Sequence, residues 1–473
     1  MDNSELDKIV PYFVKYKHKK RLYYQKILHP VLASQDEISY NKRNRLSIEG
    51  KTVTGQKRGS IWKNTAGILA PAVILALFLA GCGVKNENTA AAAVSETVSV
   101  PEPAIPGDAG EQQAFCLVTS DLHFTLSDVS SVYTLGKYTP ELARAFAEEA
   151  AERKPDVILM CGDNTNSSRA EDLEALTDIL APLHEGGCEV ILVTGNHDCG
   201  FTEEEFFGCI DRLCSVTERD PASYSYAVVT HGCRFLAMDD NTAVPGGERG
   251  KYKEETMEWL KRQLAEAEDA GERTVFISHH SLMTAGNAEL DDYYRIDEPE
   301  LAGLLRDHGV QMAFTGHRHS QEVLKDGDFY EIISAPLMAA PHIYGELVIY
   351  ERAASYRTVP LAIERYGTRR LKEALASEAE TSGENLDSIV EAVLGKRYSR
   401  AKREEIGKLF AAFMSAYAEG TLADHREAIM GSPNYEDFLE AFAESNYGPW
   451  IRYMMETTAE PGNRAVIPLA ECS

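Results

Sequence analysis

Polar residues that can bind metal ions or move protons follow five short apolar runs of the sequence, at the point where each run ends. They occur in the segments Asp-Leu-His, Gly-Asp, Gly-Asn-His-Asp, His-His and Gly-His-Arg-His, which begin at residues 121, 162, 195, 279 and 316. Carboxylate, amide and imidazole groups without an accompanying thiolate suit divalent ions of hard to borderline character. The five segments together therefore indicate a metal site.

The apolar runs alternate with amphipathic segments, as expected of strands and helices. The runs are FCLVT, DVILM, EVILVT, TVFIS and QMAFT, and residues 171–184 and 254–270 carry apolar side chains at helical spacing. This alternation predicts an α/β domain with largely parallel strands, and the consecutive strands after Phe329 predict an antiparallel finish. Because ligands bind at the carboxyl ends of parallel strands, we expect the five segments to meet at one site.

Five such segments in this order resemble the signature of the calcineurin-like metallophosphoesterases. The resemblance extends over about residues 115–360 and implies a four-layer α/β/β/α sandwich. The final Gly-His-Arg-His resembles the branch of the family that contains cyclic-nucleotide phosphodiesterases and purple acid phosphatases. Tyr344-Gly345, ahead of a late strand, is similar to the bacterial phosphodiesterases of the cyclic-nucleotide type.

The resemblance implies two divalent ions, Mn²⁺, Fe or Zn²⁺, that share one bridging aspartate. One ion would be held by Asp121, His123, Asp163 and His319, and the other by Asp163, Asn196, His279 and His317. His279 is preferred to His280 because it directly continues the strand before it. In such a centre the ions lower the pKa of a bridging water, and the resulting hydroxide attacks phosphorus.

The resemblance also gives His197 a catalytic role, which is to stabilise the phosphoryl oxygens and to protonate the leaving oxygen. Many relatives carry a second aspartate three residues after the bridging one, where this sequence has Asn166. An amide can orient an imidazole but cannot stabilise an imidazolium by charge, which favours a good leaving group or a cyclic diester. Asn166 and Asp198 are the candidates for contacts behind the ligands.

The resemblance implies a hydrolase, with a phosphodiesterase acting on cyclic nucleotides or similar small diesters as the first hypothesis. A phosphomonoesterase, or a hydrolase of nucleotide or lipid-headgroup phosphates, would use the same ligands and is the alternative. A non-catalytic surface binding protein would have lost ligands, and none of the seven is lost. Nucleic acid is not an expected partner, because the first 81 residues carry +8 of a net charge of −26 and leave −34 on the rest.

The N-terminal part of the chain predicts export and a membrane anchor. Residues 64–82 are typical of a signal peptide, because their apolar run is shorter than the ~20 residues of a spanning helix. Leu79-Ala80-Gly81-Cys82 resembles the lipobox of bacterial lipoproteins, which implies lipidation of Cys82 and an extracytoplasmic protein on a bacterial membrane. A single-span anchor is the alternative. The basic extension, residues 1–63, predicts either a basic cytoplasmic tail or, as the preferred interpretation, a start site assigned too far upstream.

Composition divides the remainder of the chain into three parts. Residues 83–113 are rich in Ala, Glu, Pro, Ser and Thr and predict a flexible stalk. Residues 114–360 form the expected phosphoesterase domain. Residues 361–473 predict a C-terminal all-helical domain with helices at 366–380, 386–394, 400–419, 423–430 and 434–445. No CxxC pair occurs among the nine cysteines, which argues against a thiolate zinc site.

Overall fold

The computed structural model describes residues 100, 103–127, 136–247, 249–284, 294–395, 397–445 and 447–470, with the backbone alone for 378–388. All of them belong to one compact unit that begins at Ser60. The predicted N-terminal extension, the signal peptide and Cys82 lie outside the described residues. Within the described ranges, no helix combines the length and the apolar character needed to cross a membrane.

The described part of the chain contains thirteen strands and eleven α-helices. The strands are β1 (Gln112–Thr119), β2 (Val157–Met160), β3 (Glu189–Leu192), β4 (Glu218–Arg219), β5 (Tyr226–Thr230), β6 (Cys233–Ala237), β7 (Arg273–Ile277), β8 (Met312–Thr315), β9 (Glu322–Asp326), β10 (Phe329–Ile333), β11 (Ile343–Tyr350), β12 (Ala353–Pro360) and β13 (Arg464–Pro468). The helices are α1 (Thr139–Arg153), α2 (Ala170–Glu185), α3 (Glu203–Ile210), α4 (Glu254–Ala270), α5 (Leu301–Asp307), α6 (Ile363–Tyr366), α7 (Arg369–Leu394), α8 (Arg400–Ala418), α9 (Leu422–Met430), α10 (Tyr435–Phe442) and α11 (Gly448–Thr457).

The strands form two sheets with parallel centres. Among the described residues, the first sheet has the order β13-β12-β11-β1-β2-β3 and the second the order β4-β5-β6-β7-β8-β10-β9. Strands β1 to β3 are parallel, and so are β6, β7, β8 and β10. Strands β11 and β12 are antiparallel, as predicted for the end of the domain. The third strand of that prediction, β10, lies in the other sheet, where it is parallel to β8 and antiparallel to β9.

The two sheets pack face to face with helices on both outer sides. Val118 of β1 and Ile277 of β7 belong to one buried cluster, which continues into Leu142 of α1. Phe276 points to the opposite side of β7, as alternation along a strand requires, and it packs with Trp259 of α4. The predicted four-layer α/β/β/α sandwich is thereby confirmed.

The C-terminal region is helical, as predicted, and has an apolar core of its own. Its first helix, α7, is continuous where the sequence predicted two helices, because one glycine within a helix costs only about 1 kcal/mol relative to alanine. Helix α11 was not predicted, and neither was β13. The chain returns through β13 to the first sheet, where it lies antiparallel to β12 and buries Ile467.

The end of the predicted stalk is part of the folded domain. Strand β1 begins at Gln112, and the peptide N–H groups of Glu351 and Arg352 donate to the carbonyl oxygens of Glu111 and Ala109. Ala109 is buried. Residues 109–113 are therefore held by the turn between β11 and β12, which composition alone could not indicate.

Candidate metal centre

Each of the predicted metal ligands lies directly after a strand, at the carboxyl edge of one of the two sheets. The first sheet supplies Asp121 and His123 after β1, Asp163 after β2 and Asn196 after β3, whereas the second supplies His279 after β7 and His317 and His319 after β8. The two sheets thus face each other with one set of ligands each. The structure brings all seven residues to a single site.

Asp121 is at the centre of one group of side chains. Its Oδ1 lies 3.2 Å from His319 Nε2 and 3.9 Å from His123 Nε2. Its Oδ2 accepts hydrogen bonds from the hydroxyl of Ser120 (2.6 Å) and from the peptide N–H of His317 (3.1 Å). One carboxylate oxygen is therefore fixed by the protein while the other faces two imidazoles.

Asp163 lies between this group and a second one. Its Oδ2 is 3.6 Å from His123 Nε2 and 3.5 Å from His279 Nε2, and its Oδ1 accepts a hydrogen bond from the peptide N–H of His197 (2.8 Å). His279 Nε2 is in turn 3.1 Å from Asn196 Oδ1 and 3.2 Å from His317 Nδ1. A single carboxylate oxygen thus adjoins both groups of imidazoles, which is the position that a bridging ligand requires.

The spacing and chemistry of the donor atoms suit divalent cations, and several of these atoms have no hydrogen-bond partner in the part of the protein that the structure describes. In each of three groups, the potential ligand atoms all lie within 4.8 Å of one another. The groups are Asp121, His123 and His319; His123, Asp163 and His197; and Asp163, His279 and His317. Both ring nitrogens of His123 and Nε2 of His317 are buried without a hydrogen-bond partner among the described residues. Such atoms cost free energy unless something binds them, and nitrogen with oxygen ligands suits Mn²⁺, Fe or Zn²⁺.

Electrostatics keeps the carboxylates ionised. Burial alone would raise the pKa of Asp163, but the nearby imidazoles, above all His279, hold that pKa well below its usual value. The carboxylates have the opposite effect on His279. Burial lowers its pKa, but Asp163 and the other nearby carboxylates outweigh burial and raise the pKa to about 10. A metal ligand must be a carboxylate or a neutral imidazole, so a cation bound by His279 would displace its proton.

The backbone of the ligand loops is strained. Five of the seven predicted ligands have a left-handed backbone, with φ between 46° and 64°: Asp121, His123, Asp163, His317 and His319. Residues other than glycine seldom adopt such angles, and strained residues cluster at functional sites. Two peptide hydrogen bonds, from Asp121 N to Gly162 O and from His123 N to Asp163 O, tie the first two loops together in this conformation.

The glycines before the ligands allow the loops to approach each other closely. A Cβ atom at Gly162 would overlap the ring of His279, and one at Gly316 would overlap the hydroxyl of Ser120. His279 is itself a predicted ligand, and the Cβ atom at Gly316 would also lie 2.7 Å from Oδ2 of the predicted ligand Asp121. Any side chain at these two positions would therefore push the ligand loops apart.

His197 lies at the rim of the site and is oriented by a main-chain group. Its Nδ1 is 2.8 Å from the carbonyl oxygen of Asn166, so the backbone, and not the side chain that the sequence suggested, orients the ring. A hydrogen bond donated by Nδ1 leaves Nε2 as the nitrogen that exchanges protons. Burial lowers the pKa of His197, but Asp163 and this hydrogen bond outweigh burial and raise it.

Asp198 connects the second and third ligand loops. Its Oδ2 accepts from the peptide N–H groups of Asn164 (2.8 Å) and Gly195 (3.1 Å), and its Oδ1 accepts from the peptide N–H (2.8 Å) and the hydroxyl (2.7 Å) of Thr165. A supporting role for Asp198 was predicted from the sequence. The residues that donate to it were not recognised, although Asn164 and Thr165 directly follow a ligand.

A second supporting carboxylate, Asp240, was missed. Its two oxygens accept from the peptide N–H of His280 (2.8 Å) and from His280 Nδ1 (2.9 Å). The His280 ring packs against His317 with 4.2 Å between centroids. His280 is thus directed towards Asp240 while its neighbour His279 lies beside Asp163. The available signal was an acidic pair, Asp239 and Asp240, just after strand β6.

A third supporting carboxylate, Glu331, lies in the middle of β10 and is fully buried. It accepts from the peptide N–H groups of Leu282 (2.9 Å) and Met283 (2.6 Å) and from the hydroxyl of Thr315 (2.8 Å). It therefore joins the loop after β7 to the end of β8. Burial raises its pKa to about 7. A lone acidic residue within an apolar strand was the signal for it.

Comparisons with known proteins agree on one region of the chain. Residues 116–321, less than half of the sequence, match the family described as calcineurin-like phosphoesterase. No curated protein matches the chain.

Several solved structures are similar to this chain at low identity. A dimetal phosphatase from Danio rerio has a TM-score of 0.44 and 14% identity, covering 53% of this chain and 98% of its own. The purple acid phosphatase of yellow lupin seeds has a TM-score of 0.36 and 12% identity, covering 54% of this chain and 52% of its own. The anchor in the inner membrane complex of Plasmodium has a TM-score of 0.34 and 15% identity, covering 53% and 85%.

These scores are too low to carry an argument about function, which depends instead on the family match and the site. The match runs from Cys116 in β1 to Gln321 and so includes all seven predicted ligands. Residues 116–321 thus match the calcineurin-like phosphoesterase family and contain all seven predicted ligands, and together these findings support a phosphoric ester hydrolase.

Proposed function

We propose that this protein hydrolyses phosphodiesters with two divalent ions held by the seven residues at the sheet edges. The observation that carries the proposal is the position of Asp163, whose Oδ2 adjoins His123 on one side and His279 on the other. Bound there, two ions would lower the pKa of a water molecule and neutralise charge on the phosphoryl oxygens.

The protein's own groups would hold the substrate and manage the proton of the leaving group. Asp121 and Asp163 bring negative charge that the ions require, and the left-handed loops fix the directions of both. His197, with Nδ1 bonded to the Asn166 carbonyl, has Nε2 as its exchangeable nitrogen. It would stabilise charge on phosphoryl oxygen and donate a proton to the departing oxygen.

A diester substrate is supported by the partner of His197. A backbone carbonyl orients the imidazole where many relatives have an aspartate, so the charge that stabilises an imidazolium comes from Asp163 and Asp198. Proton donation would then be modest, so the reaction would favour leaving groups that need little protonation and strained cyclic diesters. Cyclic nucleotides are the first substrates to try within this class.

We propose further that the enzyme is anchored outside the cytoplasm of a bacterium by a lipid on Cys82. The proposal is supported by Leu79-Ala80-Gly81-Cys82 at the end of an uncharged apolar run. Cells expressing the full chain should incorporate labelled fatty acid into the protein, and Cys82→Ser should abolish the label. Incorporation that persists in Cys82→Ser would refute the anchor.

The proposed reaction is tested by comparing bis-p-nitrophenyl phosphate with p-nitrophenyl phosphate on the Mn²⁺-loaded protein. We expect faster cleavage of the diester, loss of activity in Asn196→Ala, and little change in Asn434→Ala, an asparagine of the helical region. Faster cleavage of the monoester would replace the phosphodiesterase by a phosphomonoesterase. No cleavage of either ester with Mn²⁺, Fe²⁺ or Zn²⁺ bound would contradict the proposal.

A further inference from the structure

We infer that the C-terminal helical region positions the last two metal ligands, His317 and His319, by holding the segment Ser320–Glu322 that follows them. The inference rests on the proposed function, because it assigns a role to residues around the proposed ligands. It gives the helical region a task at the active site. That task is carried by three contacts between the region and this segment.

The first contact is made by a buried tyrosine of α8. The hydroxyl of Tyr417 donates to Glu322 Oε1 at 3.0 Å, and the ring stands edge-on to Trp450 of the helical core, with 4.9 Å between centroids. The ring of Tyr417 therefore packs in the helical region, while its hydroxyl contacts Glu322 in β9. Burial and the Glu322 carboxylate raise its pKa, so the hydroxyl stays a donor at neutral pH.

Glu322 connects Tyr417 to the loop that carries the ligands. The same Oε1 accepts from the hydroxyl of Ser320 (2.6 Å) and lies 3.6 Å from Arg318 Nε. Arg318 and Ser320 are the two chain neighbours of the proposed ligand His319. A single carboxylate oxygen thus joins both neighbours of a ligand to a tyrosine of the helical region.

The second and third contacts are made by backbone. A Cβ atom at Gly420 or at Gly462 would lie 2.8 Å from the carbonyl oxygen of Gln321, so both glycines press the chain of the helical region against this residue. Gln321 Nε2 also donates to the carbonyl of Gly462 (3.0 Å), and the two glycines are joined by a peptide hydrogen bond of 2.7 Å. The main chain of the segment is therefore enclosed as well as its side chains.

The ligand loop needs such support because of its own geometry. His317 and His319 have φ values of 64° and 52°, which are strained for residues other than glycine. Strained conformations persist only where the surroundings hold them, and groups behind metal ligands typically change metal affinity by 10–100-fold when removed. Tyr417 is thus a positioning residue, which acts on the ligands through Glu322 and touches neither metal nor substrate.

The test is the affinity of the full-length protein for Mn²⁺, measured by isothermal titration calorimetry on the metal-free form. Tyr417→Phe removes one hydroxyl and keeps the ring, and we expect it to weaken the binding of one ion by about 10-fold, at the lower end of the range for groups behind ligands. Glu322→Gln, which retains size and one oxygen, should weaken it in the same way.

Tyr447→Phe is the matched control. Tyr447 belongs to the same helical core, packs against Phe410 and Phe442, and has a buried hydroxyl without a hydrogen-bond partner in the described part of the chain. It should bind Mn²⁺ as the unmodified protein does. Equal affinities in Tyr417→Phe and the unmodified protein would overturn the inference, and so would an equal loss in Tyr447→Phe.

The readout separates this inference from the proposed function. Two bound ions without hydrolysis of any ester would refute the proposed function alone, because the affinity comparison between the two tyrosine variants would still decide the inference. An unmodified protein that binds no divalent ion would refute both.

Discussion

The two sheets contribute to the site in different ways. The first sheet supplies mostly oxygen ligands, Asp121, Asp163 and Asn196, and their loops are braced by Ser120 and Asp198, which lie within the same short segments. The second sheet supplies imidazoles alone. Their loops are braced by residues distant in sequence, namely Asp240, Glu331 and Tyr417, of which Tyr417 acts through Glu322 next to the loop.

The difference follows from the chemistry of the ligands. A carboxylate is charged at neutral pH and attracts a cation from either oxygen, so local hydrogen bonds are sufficient to aim it. An imidazole offers one lone pair in one direction, so its aim depends on the loop that carries it, and Asp240, Glu331 and Tyr417 hold these loops through residues next to the ligands. The histidine side of the site therefore depends on more of the molecule, including the helical region.

The largest effect is expected at the residue that belongs to both groups. Asp163→Asn would remove the charge shared between the proposed ions, and we expect kcat/KM for a diester to fall by about 10³-fold or more, as for other losses of electrostatic stabilisation at a reaction centre. Steady-state kinetics at saturating Mn²⁺ measures this. Asp178→Asn, at an exposed aspartate of α2, is the control and should be unchanged; a similar loss there, or none in Asp163→Asn, would contradict the bridging role.

A smaller effect that depends on substrate is expected for His197. His197→Gln should lower kcat by about 10²-fold or more for a diester with an alkoxide leaving group, and by less for one with nitrophenolate, because only the former needs a proton. The comparison is a plot of kcat against the pKa of the leaving group for both proteins. Equal losses across the series would show that His197 does not act as an acid.

The braces of the two sheets can be compared directly. Asp198→Asn alters the support of the carboxylate side, and Asp240→Asn alters that of the histidine side. Each should weaken Mn²⁺ binding by roughly 10–100-fold, as is typical for groups behind metal ligands. Calorimetric titration measures both. The account predicts a larger loss for Asp240→Asn; a loss confined to Asp198→Asn would reverse the proposed contrast.

The smallest effect is a dependence of stability on pH that comes from Glu331. Its pKa is raised from 4.5 to about 7 in the folded protein. The buried carboxyl is favoured when protonated, so its contribution to the free energy of unfolding is full below pH 4.5 and is lost as pH rises through 7.

Between pH 5.5 and pH 7.5 the unmodified protein should therefore lose about 2 kcal/mol relative to Glu331→Gln, which does not titrate. Urea unfolding at the two pH values gives this difference. Glu331→Gln loses one acceptor and can be less stable throughout, but only the change with pH bears on the prediction. Parallel pH profiles for the two proteins would contradict the raised pKa.

Local patterns predicted the sandwich and the placement of the ligands, and long-range contacts account for what was missed. Strand–helix alternation and strand ends are properties of short segments, so they revealed the positions of Asp121, Asp163 and His279. The supporting roles of Asp240, Glu331 and Tyr417 cannot be assigned from local patterns, because their partners lie 40, 49 and 95 residues away. Strand β13 was missed for the same reason, since its pairing with β12 crosses the whole helical region.

The central claim is that Asp163 joins two ions in one centre. Electron paramagnetic resonance of the Mn²⁺-loaded protein tests it most directly, because ions about 3.5–4 Å apart interact magnetically and separated ions do not. The account predicts two Mn²⁺ per chain with a spin-coupled spectrum, which changes to that of isolated Mn²⁺ in Asp163→Asn. One ion per chain, or an uncoupled spectrum in the fully loaded protein, would contradict it.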